Sequence, residues 1–298
     1  MMAELNVEAS TEVLMTTLAR FPEPGRLYRL VDPSDAPARV LSPEALEECG
    51  LLRNPFFAEP QQHQLYLQPV TTHADELHRM VAEEHAALPG SRVEPVAFCG
   101  WLYSSEPLFR VVAYLERQFR VISPAGRNCL LRFQDPRVLE RLEDILDAEQ
   151  LSRLLWPIDS WCYFDHLGKL RELLPHREKR RAGKLQLTEK QWQAIKRIER
   201  VNKVLDNWNS LKPAPPHAAS PADVDRMLEY AEQAGINTGA DTNLFAMQGL
   251  FYGAGFHRHP IIQAMLRKVA RGESYRMQAR QLTQNDWDVI TRDVKGAD

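Results

Sequence analysis

His257 and His259 are the closest pair of histidines in the chain and the first residues that could bind a metal. Two imidazoles and a neighbouring carboxylate can hold a divalent ion. Their spacing matches neither the HExxH helix motif nor a known zinc module. We therefore interpret them as ordinary loop histidines and expect no metal site. A metal-dependent enzyme built on this region is the alternative.

Other catalytic motifs are absent from the sequence. It contains no GxSxG elbow, no Walker A loop and no GxGxxG that follows a strand, so hydrolase, phosphate-loop and dinucleotide sites each lack the residues they need. The glycines of residues 249–255 lie in a helical pattern, which favours close helix packing or a turn. We expect no enzyme activity, no catalytic residue and no cofactor.

A basic segment covers residues 169–203, where twelve Lys and Arg stand against four Glu and give a local charge of +8. Nucleic-acid binding is one interpretation, but the usual alternation of basic and aromatic residues in a base-stacking surface is absent. We prefer a solvated surface that faces an acidic partner or the chain's own acidic helix at residues 140–149. No nucleic-acid partner is expected.

Charged residues surround a corner at residues 129–138, where an apolar strand runs into a helix. Asp135 can cap the first turn of that helix and Pro136 fits its first position, so both have structural roles. Arg132 and Arg137 need solvent or carboxylate partners, because a lone buried charge is costly. We prefer a structural ion network here, and contact with a partner protein is the other interpretation.

Short β-rich runs alternate with helical patterns in the first half of the chain and indicate an α/β layer. The predicted strands are residues 27–31, 64–70, 96–103, 120–123, 128–133 and 161–164, with a hairpin turn at residues 124–126. Helix starts are predicted at Ser42, Thr72, Ser105, Asp135, Thr188 and Ser220. Thr188 and Gln191 resemble a capping box, and Gly235 is placed to end the helix that starts at Ser220. After His166 strand signals nearly vanish and the patterns become helical.

The predicted organisation is an N-terminal extension (1–25), an α/β domain with a mixed sheet and flanking helices (26–166), a basic linker (167–187) and an all-α lobe (188–298). A formal charge of −3 and 44% hydrophobic residues are typical of a soluble globular protein. No run of about 18 apolar residues and no secretory signal is recognisable. The four cysteines lack metal-binding spacing, so we expect reduced thiols, a cytoplasmic location and no membrane association.

Six motifs follow one another in the first half of the chain: LYRLVD (27–32), NPFF (54–57), LYLQPV (65–70), GWLYS (100–104), LRFQDPRVL (131–139) and LLWP (154–157). Together they resemble the type VI secretion effector adaptor/chaperone family, often called Tap or Tec proteins. The resemblance spans about residues 26–166, and RFxDPRVL is its most specific element.

This resemblance implies a non-catalytic protein that holds one toxic effector in the cytoplasm of the producing cell and helps load it onto the VgrG spike. The expected partners are therefore the effector and VgrG. We expect a cleft between the two lobes to grip the effector, with aromatic and arginine anchors carrying most of the binding energy. The candidate partner-binding residues are Trp101, Arg132, Arg137, Trp161, Trp192, Trp208, Tyr252 and Phe256. Core packing is the alternative role of the aromatic ones.

Overall fold

A six-stranded sheet forms the centre of the N-terminal unit, residues 1–195. The computed structural model describes residues 2–21, 25–34, 36–56, 65–176, 178, 181–215, 217–253 and 255–295. Its strands are β1 (Arg26–Val31), β2 (Gly50–Leu52), β3 (Leu65–Val70), β4 (Phe98–Ser104), β5 (Arg120–Ile122), β6 (Asn128–Leu130), β7 (Ser160–Phe164) and β8 (Leu170–Leu173). The sheet order is β2-β3-β1-β4-β7-β8, with antiparallel neighbours, and β5 and β6 form a separate antiparallel hairpin.

Helices cover both faces of this sheet. They are α1 (Met2–Arg20), α2 (Pro43–Glu47), α3 (Ala74–Ala86), α4 (Leu108–Gln118), α5 (Pro136–Ile145), α6 (Ala148–Leu155) and the start of α7 (Glu189–Asn209). Successive strand residues point to opposite faces. Trp101 therefore packs with side chains of α1 and α3, whereas its neighbour Leu102 packs with those of α4, α5 and α6. The sheet is buried on both sides.

One glycine allows the centre of the sheet to close. Gly100 in β4 has a φ of +137°, and a Cβ at this position would lie 2.4 Å from Nε1 of Trp161 and 2.6 Å from the carbonyl of Cys162. The indole of Trp161 fills this space and donates a hydrogen bond of 3.1 Å to the carbonyl oxygen of Cys99. The packing of Trp161 against β4 therefore requires a glycine at position 100.

The C-terminal unit, residues 196–298, is helical throughout its described part. It contains the rest of α7, a 3-10 turn at Phe256–Arg258, and the helices α8 (Pro221–Gln233), α9 (Gly239–Tyr252), α10 (Pro260–Val269), α11 (Tyr275–Ala279) and α12 (Gln284–Lys295). Its core is built around the buried rings of Trp208, Phe245, Phe256 and Tyr275. Gly235, which follows α8 with a φ of +77°, ends that helix as expected from its lack of a side chain.

The predicted fold class, an α/β lobe followed by an all-α lobe, is confirmed. Five of the strands and α-helices were not predicted: α1 lies in the predicted N-terminal extension, β8 in the predicted basic linker, β2 and α6 within the predicted α/β domain, and the short α11 within the predicted all-α lobe. The sequence of β8 is Leu-Arg-Glu-Leu, and its two central charged residues interrupt the apolar pattern that would have indicated a strand. The predicted domain limits themselves stay a prediction.

Most predicted helix starts are confirmed by their capping bonds. Ser42 accepts from the amide of Ala45 at 3.3 Å and Ser220 from that of Asp223 at 3.1 Å. Thr188 and Gln191 form the predicted reciprocal pair, with amide contacts of 3.0 and 3.3 Å. The starts at Thr72 and Ser105 are wrong by a residue or two, because α3 begins after His73 and α4 after Pro107.

Candidate protein-binding site

Buried and exposed side chains alternate in the corner between β6 and α5. Leu131 and Phe133 are 2% and 1% exposed and pack in the main core of the unit. Arg132, between them, points the other way, and its side chain is 49% exposed. Asp135 then caps α5 by accepting the amide of Arg137 at 3.0 Å, with Pro136 in the first turn. The structural roles predicted for Asp135 and Pro136 are therefore confirmed.

Arg137 is engaged within the protein. Its Nε and Nη2 donate to the two carboxylate oxygens of Asp135 at 2.9 and 2.6 Å. Its Nη1 donates to the carbonyl oxygens of Arg92 and Glu94 at 2.9 and 2.6 Å. The two-point ion pair fixes the guanidinium at the start of α5, and the two bonds from Nη1 tie it to the loop before β4. The preferred interpretation, a structural ion network, describes Arg137 well.

Arg132 is held much more loosely. Its Nη2 lies 3.8 Å from Oδ2 of Asp32 and 4.0 Å from Oδ2 of Asp135, beyond hydrogen-bond distance. Asp32 follows β1, and its Oδ1 also accepts the amide of Ser34 at 3.1 Å. A guanidinium that is half exposed and only weakly paired can turn toward a partner at small cost. Of the two predicted arginines, Arg132 is the accessible one.

Arg132 lines a cavity of about 210 Å³ together with Asp32, Arg39, Glu84 and Val96. Glu84 is fully buried and accepts hydrogen bonds from Arg39 at 2.7 and 2.9 Å and from Arg29 at 3.0 Å. Its charge is thus neutralised inside the protein. The cavity is smaller than the roughly 300 Å³ at which small-molecule sites begin. It suits one side chain of a partner better than a cofactor.

A polar cluster lies next to the corner, on α5 and after β7. Among the described residues, Glu140, Asp165 and His166 are the one group whose ligand atoms lie close enough to hold a metal ion. Glu140 is already bonded to Nδ1 of His166 at 2.6 Å and to Arg92 at 3.2 Å. Oδ1 of Asp165 accepts the amides of Leu167 and Lys169 at 2.8 and 3.0 Å. The carboxylate oxygens of Glu140 and Asp165 are thus already used in hydrogen bonds within the protein, so we interpret the cluster as structural.

Two pKa shifts in this cluster have clear causes. Burial alone would raise the pKa of Glu140, but the hydrogen bond from His166 and the positive charge of Arg92 outweigh it and hold the pKa below its ordinary value. Burial lowers the pKa of Arg92 in spite of the carboxylate beside it. The network therefore depends on Glu140 remaining ionised, which makes it sensitive to acid.

Four of the predicted aromatic anchors lie in the core. Trp101, Trp161, Trp208 and Phe256 are each 0% exposed. Trp101 packs against Phe98 with ring centroids 4.4 Å apart, and Nε1 of Trp208 donates to the carbonyl oxygen of His217 at 3.0 Å. Side chains without accessible surface cannot anchor a partner in this conformation. Their alternative interpretation as core residues is the one that the structure supports.

The other two aromatic residues are partly accessible. Trp192 at the start of α7 packs at the edge of the main core of the N-terminal unit. Tyr252 at the end of α9 stacks on Trp287 with ring centroids 4.6 Å apart and an interplanar angle of 8°. The structure does not bring the eight candidate residues together: Arg132 and Arg137 share one corner, and the rest are distributed through both units.

His257 and His259 have separate contacts within the C-terminal unit. The ring of His257 stacks on Tyr230 at 4.3 Å. His259 caps α10 by accepting the amide of Ile261 at 3.3 Å, and its Nε2 lies 3.2 Å from Oδ2 of Asp293. Among the described residues they are not part of a three-ligand group. The alternative of a metal enzyme at this region gains no support from these contacts.

The basic segment at residues 169–203 is divided among β8, a loop and α7. Arg171 pairs with Glu143 of α5 at 3.1 Å, as expected for a segment facing the acidic helix. Arg197 and Arg200 pair instead with acidic residues of α8, at 2.7 to 3.4 Å. Arg177, Lys179 and Arg180 lie outside the described residues. Several of the charges that could attract nucleic acid are therefore neutralised internally.

Sequence reasoning missed the acidic partners of the arginines. Asp32 lies 100 positions before Arg132, and Glu84 bonds two arginines of β1 and its following loop. The available signal was an acid directly after a mostly apolar strand, since Asp32 follows the run Leu27–Val31.

The cysteines of the described residues are free thiols. Cys99 and Cys162 are buried, and burial raises the pKa of both, which disfavours the reactive thiolate.

The fold and this corner define an antiparallel sheet domain with flanking helices, joined to a helical unit. Residues 27–153 match the family model described as "Domain of unknown function (DUF4123)". This domain is known in type VI secretion effector adaptor proteins, so the predicted resemblance is confirmed at the level of the domain. No curated protein and no solved structure matches the chain. None of the described helices combines the length and apolar character that crossing a membrane requires.

Proposed function

We propose that this protein is a non-catalytic adaptor that binds one type VI secretion effector in the cytoplasm of the producing cell and helps load it onto the VgrG spike. The observation that carries the proposal is the DUF4123 match over residues 27–153, which includes the whole corner with Arg132, Asp135 and Arg137. The domain's association with effector adaptors supplies the type of partner.

The geometry supports protein recognition over catalysis. The corner offers a half-exposed arginine beside a cavity of about 210 Å³, and its other charged groups are paired with one another. Arginines that can be desolvated by a partner are common anchors in protein interfaces. A stable complex would bury about 1,200 to 2,000 Å² in total, so the corner would be one part of a larger contact.

Secretion and co-purification test the proposal. The tagged full-length protein is purified from the native bacterium, and bound proteins are identified by mass spectrometry. We expect a type VI effector, with VgrG in a larger assembly. Deletion of this protein should abolish delivery of that effector while other effectors are still secreted. Unchanged secretion of every effector after the deletion would refute the adaptor function.

A further inference from the structure

A second surface of the N-terminal unit, distinct from the corner, has the composition of a peptide-binding groove. It lies between the end of β2, the end of α4, the β5–β6 hairpin and the segment before α7, and it encloses about 660 Å³. We call it the hairpin groove and define it by Arg53, Arg117, Arg120, Ile122, Lys184 and Leu187.

Ile122 gives the groove an unusual apolar element. It is 53% exposed, although it sits in a strand, and Pro55, Pro124 and Leu187 extend the apolar surface around it. Nearby, Phe56 is 41% exposed, with the guanidinium of Arg120 5.9 Å from its ring centroid. Clustered exposed apolar side chains within a polar rim are typical of interaction sites.

The charge of the groove is strongly one-sided. Arg53, Arg117, Arg120 and Lys184 are all exposed, and none of them takes part in the ion pairs found among the described residues, unlike the neighbouring Arg110 and Arg153. The single acidic residue of the lining is Glu116, whose Oε1 accepts the backbone amide of Arg53 at 2.7 Å. Four cations against one engaged carboxylate create a local positive potential that an acidic ligand would complement.

The wall formed by the segment before α7 is firmly attached. The Tyr114 hydroxyl accepts the amide of Gly183 at 3.1 Å, and Nε2 of Gln150 donates to the carbonyl oxygen of Gln186 at 2.6 Å. Leu185 is 6% exposed in the main core, and Gln186 forms a parallel bridge with Ile122. The groove is therefore formed before a ligand arrives, which lowers the entropic cost of binding.

From these observations we propose that the hairpin groove binds an acidic segment of the partner protein, with an apolar side chain of that segment on Ile122 and its carboxylates on the surrounding cations. A protein fits better than a nucleic acid, because the described lining contains no aromatic side chain and Phe56, beside it, is a single ring where a base-stacking surface uses several. The proposal rests on the adaptor function for the existence of a partner, and it adds the surface and the chemistry of the bound segment.

Site-specific crosslinking in the full-length protein tests the proposal directly. The photoreactive amino acid p-benzoylphenylalanine replaces Ile122 in one variant and Phe109 in another, because Phe109 is 69% exposed on α4 but does not line the groove. After irradiation in the producing cell, crosslinked peptides are sequenced by mass spectrometry. We expect the Ile122 variant to capture a segment rich in Asp and Glu around an apolar residue. A neutral or basic segment, a nucleic acid, or equal capture at both positions would overturn the proposal.

Charge reversal tests the proposal quantitatively, through the Kd of effector binding. Arg120→Glu should weaken effector binding about tenfold in Kd, and Arg127→Glu, which changes the net charge by the same amount, should change it little. Arg127 is a matched control, because it is exposed in the same hairpin but outside the groove lining. Thermal unfolding would show that all variants are folded. If the unmodified protein binds the effector and both variants bind equally well, the groove proposal fails and the adaptor function stands. If the unmodified protein binds no effector, the adaptor function fails, and the crosslinks at Ile122 still decide the groove.

Discussion

Asp135 binds Arg137 through both carboxylate oxygens while its Oδ1 also accepts the backbone amide that begins α5. One carboxylate thus caps a helix and fixes the guanidinium that joins this helix to the loop before β4. The most specific part of the sequence motif therefore has a structural purpose. It leaves Arg132, three residues before the capping Asp135, as the accessible charge of the corner.

The first prediction separates the two arginines. Arg137→Ala should destabilise the fold by about 3 kcal/mol, because it removes charge-assisted hydrogen bonds at a largely buried position. Arg132→Ala should cost less than about 1 kcal/mol, as expected for an exposed and weakly paired side chain. Urea unfolding of both variants measures the difference. Equal losses would mean that Arg132 belongs to the same structural network.

The second prediction concerns the cap alone. Asp135→Asn keeps a good capping residue but loses the charge, whereas Asp135→Ala loses both. We expect the alanine variant to be less stable than the asparagine variant by roughly 1 kcal/mol, the usual worth of a helix cap. Thermal unfolding at neutral pH checks the order. An asparagine variant as unstable as the alanine variant would assign the whole effect to the ion pair with Arg137.

The buried tryptophans lead to the third prediction. Trp101→Ala and Trp161→Ala should each destabilise the N-terminal unit by about 3–5 kcal/mol, since both side chains are 0% exposed. The control is Phe109→Ala, which removes a 69% exposed ring and should change stability by less than about 0.5 kcal/mol. Denaturant unfolding provides the values. A stable Trp101 variant that has lost only effector binding would restore that residue as a partner contact.

Local chemistry explains which features could be predicted from sequence. The Asp135-Pro136 start, the Thr188–Gln191 pair and the Gly235 helix end depend on residues within one turn, and all three are present in the structure. The hairpin turn at residues 124–126 is also confirmed, with Gly126 at a φ of +76°. Such signals need no knowledge of the rest of the fold.

Long-range features could not be predicted in the same way. β1 lies between β3 and β4 in the sheet, and Asp32 at its end comes within 3.8 Å of Arg132, 100 positions later, only in the folded unit. The burial of Trp101 depends on α1 covering one face of the sheet, and α1 was not recognised. The hairpin groove was missed for a related reason: Arg53, Arg120 and Lys184 are far apart in sequence and meet only in the folded unit.

The last prediction uses two glutamates on α5 whose pKa values shift in opposite directions. The pKa of Glu140 is held below its ordinary value, although burial opposes this, by the hydrogen bond from His166 and the charge of Arg92. The pKa of Glu143 is raised by burial, which outweighs the hydrogen bond from Tyr163 and the charge of Arg171. The two carboxylates should therefore give opposite pH dependences of folding stability.

The signs follow from proton linkage. A depressed folded-state pKa means that Glu140 contributes stability above its unfolded pKa and loses it as the pH falls through the folded pKa. The stability lost in Glu140→Gln should therefore be large at neutral pH and shrink in acid. For Glu143, the raised folded-state pKa means that the wild type loses stability relative to Glu143→Gln as the pH rises through that value. Urea unfolding from pH 3 to pH 7 measures both trends, and trends of the same sign in the two variants would contradict the opposite roles assigned to these neighbouring carboxylates.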